Sequence, residues 1–83
     1  MEFIRINPTD NVAVAIRDVS AGSRFDVDGM EVTVRDDVPA GHKVALRDMA
    51  QGENVVKYGF PIGVATEDIK VGDIVVSAMD YIL

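Results

Sequence analysis

Cysteine is absent from this chain, which excludes disulfide frameworks, thiolate zinc sites and cysteine nucleophiles. Histidine occurs once, as His42, and a single imidazole is too few ligands to hold a metal. Basic residues are scarce, with 8 Lys and Arg against 14 Asp and Glu and a net charge of −6. Nucleic acids and anionic membranes are bound chiefly through Lys and Arg at phosphates, so neither is expected as a partner. No apolar run approaches the roughly 20 residues of a membrane span. The start, MEFIRINPTD, has no apolar signal-peptide core. These absences predict a soluble, cytoplasmic protein. There is also no charge block or low-complexity tract of the kind that keeps a chain disordered.

The 83 residues are read as one domain, 1–83. A chain of this size buries only about 60 to 65 per cent of its unfolded surface, so it depends on well-formed turns and on a partner covering one face. An enzyme complete in itself is not expected.

What is present is a repeat. Three segments align without gaps: AVAIRDVSAGSRFDV from Ala13, KVALRDMAQGENVVK from Lys43 and GVATEDIKVGDIVVS from Gly63. Each runs Val-Ala, two variable residues, Asp, an apolar residue, two variable residues and Gly. The aspartates are Asp18, Asp48 and Asp68; the glycines are Gly22, Gly52 and Gly72. A partial fourth copy spans Asp37 to Gly41. The Asp is expected to accept N–H bonds from the residues just after it, and Gly to supply the positive φ that ends the turn. Asp28-Gly29 is a hairpin signal. No stretch keeps a helical apolar spacing over three turns. The prediction is an all-β barrel of short strands with one-turn helical corners, and the unequal intervals favour a compact body over a solenoid.

INPTDNVAVAIRDVSAG, VPAGHKVALRDMAQGENVVKYGFPIGVATEDIKVGD and the strand after them, in this order, resemble the small amino-terminal domain of the altronate/galactarate dehydratase family. That domain is of the SAF type, with the β-clip fold also found in sialate synthases, type III antifreeze proteins and flagellar basal-body chaperones. The resemblance covers nearly the whole chain. It implies a hydro-lyase acting on sugar acids or related hydroxy acids. It also implies Fe2+ or another divalent metal, and most catalytic groups, in a large second domain or partner subunit. Related two-subunit lyases act on sulfolactate. One departure is that the family commonly continues with His-x-His-Asn where this chain has Ser77, Ala78, Met79 and Asp80.

Four residues are candidates for contact with substrate. His42 lies in the Gly-His-Lys turn that matches the family, and histidine is suited to donating to a carboxylate or hydroxyl near neutral pH. The alternative is a loop histidine bonded to backbone. Lys43 offers a point charge for an acid group, against a solvated lysine at a strand start. Lys57 and Tyr58 offer an ammonium and a phenol, against packing of Tyr58 over the small core. The repeated aspartates and Asp37 are read as corner-formers and Asp36 as solvated. Met79, Tyr81, Ile82 and Leu83 are read as an edge strand or a docking face, leaving a homo-oligomer open.

Two functional readings follow. The first is a small subunit or detached domain of a sugar-acid dehydratase, inactive alone, binding no metal itself and helping to cover the site. The second is a stand-alone, non-catalytic binding module of the same fold. An ice-binding surface has little support from a chain whose only threonines are Thr9, Thr33 and Thr66.

Overall fold

An Asp-x-x-x-Gly corner leaves backbone N–H groups at its tip that no strand can satisfy, and such groups need partners. In the computed structural model, which describes residues 2–75 and 79–81, the corners satisfy one another in pairs. Asp18 Oδ1 accepts the Ala40 N–H, and Asp37 Oδ1 accepts that of Ala21, both at 2.9 Å. Val19 and Val38 exchange two backbone bonds of 2.8 Å between these corners. Gly22 N–H donates to Val34 O, and Gly41 N–H to Ala15 O. The corners headed by Asp48 and Asp68 repeat the pattern. Their Oδ1 atoms accept the N–H groups of Val71 and Gln51, and Met49 and Ile69 exchange backbone bonds.

This corrects the expectation of one-turn helical corners. Among the described residues there is no helix. The carboxylates reach across to the opposite corner instead of capping their own N–H groups. Each corner closes by a bond between residues three apart, such as His42 N–H to Pro39 O at 3.1 Å. Gly takes the third place of each turn, at φ between 85° and 90°, as a type II turn requires.

Between the corners run short strands: β1 (Phe3–Ile4), β2 (Val12–Ala15), β3 (Arg24–Val27), β4 (Met30–Thr33), β5 (Lys43–Ala45), β6 (Asn54–Lys57), β7 (Phe60–Ala65) and β8 (Met79–Tyr81). They form three small antiparallel sheets, ordered β1-β2-β5, β3-β4 and β6-β7-β8. The all-β expectation holds, and Met79–Tyr81 is an edge strand on β7. The rest of the unmatched His-x-His-Asn segment, Ser77 and Ala78, lies outside the described residues, as do Ile82 and Leu83.

The two halves of the chain are copies. Asp18 and Asp48, Gly22 and Gly52, and the turns Asp28-Gly29 and Tyr58-Gly59 are each 30 residues apart. Asp37 and Asp68 are 31 apart. The added residue is Ile62: β6 and β7 pair Val56 with Pro61 but Val55 with Gly63, leaving Ile62 as a bulge. The side chain of Asn11, 4% exposed, stitches this place, accepting from Val56 N–H at 2.8 Å and donating to Asn54 O at 2.9 Å. A pseudo-twofold lies between β2 and β5, where the pairs Ala13–Val44 and Val14–Lys43 exchange.

Each half has its own apolar cluster. Ala15, Val19, Val34 and Val38 in the first correspond to Ala45, Met49, Ala65 and Ile69 in the second. Larger side chains at 49 and 69 compensate the smaller one at 65, as close packing demands. Strands cross between the clusters: Val44 of the second copy packs in the first cluster, and Val12 of the first packs in the second.

Candidate functional site

The sheet β1-β2-β5 turns Phe3, Ala13, Ala15 and Val44 into the first cluster. Alternation along each strand puts Ile4, Val14 and Lys43 on the other face, in one row, because Ile4 and Lys43 both lie directly opposite Val14. On this face is a groove of 130 Å³, floored by Ile4, Val12, Val14 and Ile16 and walled by Lys57 and Tyr58. Lys57 Nζ stands 4.7 Å from the centre of the Tyr58 ring, a cation–π pair.

Tyr58 is strained. It is 52% exposed and sits at φ +57°, in the left-handed region that large side chains avoid. Both central residues of a two-residue hairpin of this kind need positive φ, and the matching turn uses Asp28-Gly29, a common choice there. The Lys57-Tyr58-Gly59 segment is thus the tip of the β6–β7 hairpin.

Asp10 holds this tip in place. Its side chain, buried with only 4% of the residue exposed, accepts the Gly59 N–H at 2.8 Å and the Asn7 N–H at 3.1 Å. Burial acts to raise its pKa. The backbone N–H groups of Gly59, Asn7, Tyr58 and Ile6 outweigh that and hold it below the ordinary carboxylate value. Asn7 Oδ1 closes a local turn by accepting the Thr9 N–H at 2.9 Å. Arg5 ties the same loop to the other hairpin tip through Asp28, at 2.8 Å.

Of the four candidates, Lys57 and Tyr58 are together and Lys43 leaves the same face of the neighbouring sheet. His42 is elsewhere. It occupies the last place of the Pro39–His42 turn, outside the groove lining, and its carbonyl accepts the Ala15 N–H at 2.9 Å. In the third and fourth corners the equivalent residues, Glu53 and Asp73, accept the N–H groups of Ala50 and Lys70 with their carboxylates. The second corner has Pro39 there, which has no N–H to give. His42 Nδ1 is enclosed and has no hydrogen-bond partner among the described residues.

Asp10 and Asn11 were not singled out in the sequence. Asn-Pro-Thr-Asp signals a local turn, but nothing local reveals that its carboxylate reaches Gly59, or that Asn11 reaches Val56. Among the described residues no three His, Asp or Glu gather to hold a metal, so no metal chemistry is assigned to them. Among them, too, no helix is long and apolar enough to cross a membrane.

Paired corners, two short hairpins and a small apolar groove define an all-β domain. Residues 1–79 match the model of the altronate/galactarate dehydratase SAF domain, and the chain belongs to that family. It is 53% identical over 72 residues to altronate dehydratase of Escherichia coli K12, covering 87% of this chain and 14% of that protein. It is 40% identical over 72 residues to the galactarate dehydratase (L-threo-forming) of the same organism, covering 84% of this chain and 13% of that one. A 44-residue stretch is 41% identical to the (2R)-sulfolactate sulfo-lyase subunit alpha of Chromohalobacter salexigens, covering 53% of this chain and 47% of the subunit. The chain thus spans about one-seventh of the length of the dehydratases it matches.

Proposed function

We propose that this protein is the SAF domain or small subunit of a cytoplasmic sugar-acid or hydroxy-acid dehydratase, covering the active site of a larger body that holds the divalent metal. The observation that carries this reading is its 53% identity to a segment making up 14% of altronate dehydratase. Geometry supports it. The cavities at the first pair of corners, beside Arg5 and Leu46, and over Val14 measure 260, 170 and 130 Å³, each below the roughly 300 Å³ at which small-molecule sites begin, so at these places walls from a second body would be needed to enclose a sugar acid. Lys43, Lys57 and Tyr58 share a face from which two ammonium groups and a phenol can meet the carboxylates and hydroxyls of such a substrate. His42 lies apart from this face and, its side chain taking no part in closing its corner, is a separate fourth candidate for contact, probed by His42→Ala.

The test is dehydration of altronate and galactarate by the complete enzyme with ferrous iron, using wild type, Lys57→Met and His42→Ala. Activity requiring this chain, with KM raised by Lys57→Met, is expected. Equal activity with and without the chain would reject the reading.

The second reading, a non-catalytic binding module, draws on Ser77, Ala78, Met79 and Asp80, where the family resemblance leads one to expect His-x-His-Asn. It predicts no association with a dehydratase body and no dependence of any dehydration on this chain.

A further inference from the structure

Large apolar side chains exposed singly over a surface are ordinary, whereas contiguous ones with a polar rim mark an interaction face. Among the described residues here, four of the six such side chains, Ile4, Ile6, Ile16 and Tyr58, line one groove. Phe60, 71% exposed, lies just beyond Tyr58 on the same hairpin. The groove has room for a protein side chain but not for a sugar acid.

Building on the proposed function, we propose that this groove is the seat of the dehydratase body, taking up one of its apolar side chains, while Lys57 at its rim stays with the substrate held between the two. In the matching dehydratases, about six-sevenths of the chain lies outside this unit, so a body of that size has to be met by some face of it. A second copy of this chain is the less favourable occupant, because it would bring another net charge of −6 to a molecule already at −6. The wall is also held before docking. Buried Asp10 fixes the Tyr58-Gly59 turn in its strained form, so little ordering remains to oppose association. This also accounts for a tyrosine at a position where asparagine or glycine would be easier: the ring supplies apolar area at the mouth of the groove.

A photocrosslinking residue, p-benzoylphenylalanine, placed at Ile16 in the protein as its own cells express it, and separately at Gln51 as a control outside the groove, tests this. Adducts are identified by mass spectrometry, and dehydratase activity is measured on the same preparations. Adducts to dehydratase-body peptides from Ile16 and not from Gln51 are expected. Ile16→Asp, a surface change whose folding is checked by its thermal melt, should weaken retention of the body roughly tenfold, the effect of losing about 1.4 kcal/mol. Adducts from Ile16 to a second copy of the chain would overturn the proposal. So would body adducts from Gln51 alone, or activity with no adduct from Ile16, and in these two cases the functional reading would survive. Absence of both body adducts and activity would overturn the two together.

Discussion

Asp18 and Asp37 each place a carboxylate oxygen 2.9 Å from a backbone nitrogen in the corner that the other one heads. Neither bond is local, yet the pair does for two turns what a cap does for a helix end. Replacing either residue by Ala is expected to cost about 0.5–2 kcal/mol, as cap removal does. Asn, which keeps an acceptor oxygen, should cost less than Ala. The double Ala variant should fall short of the sum, because the first loss loosens the second bond. Urea denaturation of the four proteins measures the coupling, and simple additivity would show that the corners act independently.

Gly22 and Gly72 have nearly the same φ, at +85° and +89°, but different surroundings. A methyl at Gly22 meets nothing within 4 Å, whereas at Gly72 it would run into the Thr33 carbonyl oxygen. Gly22→Ala should therefore lose only the left-handed penalty of about 1–2 kcal/mol. Gly72→Ala should lose more than about 4 kcal/mol, in the range reserved for severe packing faults. Thermal melts decide this, at roughly 4–8 °C per kcal/mol for a domain of this size.

Tyr58→Asn should stabilise the isolated chain. Relief of left-handed strain is worth about 1–2 kcal/mol, against about 0.5–1 kcal/mol for an exposed cation–π pair, so a net gain of up to about 1.5 kcal/mol is expected. The same variant should associate less well with a dehydratase body, since the groove loses one wall. A melting point below that of wild type would refute the strain argument.

The carboxyl of Asp10 titrates below its ordinary value of 3.8 in the folded protein. A group depressed in this way contributes stability that is fully present above its unfolded pKa and lost as pH falls through the folded one. Stability should thus decline as pH drops below about 4. Asp10→Asn, lower in stability at pH 7, should flatten that decline. Urea midpoints at pH 7 and across pH 2–5 give the comparison, and parallel acid limbs would rule out Asp10 as a contributor.

What could be read from the sequence was what repeats or lies close along the chain. Asp and Gly recur at fixed spacing, so the corners, the strands between them and the Asp28-Gly29 hairpin were legible. The partner of each corner was not, because Asp18 to Ala40 is a contact over 22 residues and no local preference encodes it. The Tyr58-Gly59 turn was missed for a different reason: tyrosine is a poor residue for positive φ, and Asp10, 49 positions before Gly59, holds the turn. Lys57 and Tyr58 were found together because they are neighbours. That Lys43 joins their face depends on its register opposite Val14. That the His42 side chain takes no part in closing its corner follows from Pro39, whose missing N–H gains its meaning only once the four corners are superposed.

The exchange of Val12 and Val44 between the two apolar clusters bears on how the molecule comes apart. A duplicated chain with self-contained halves could lose one and keep the other, showing two melting steps. Here each half lends a strand residue to the other's interior, and β2 and β5 are hydrogen-bonded across the boundary. Neither copy has a complete interior of its own. Opening one strips buried surface from the other, so a single melting step is expected despite the chain being built twice from one pattern.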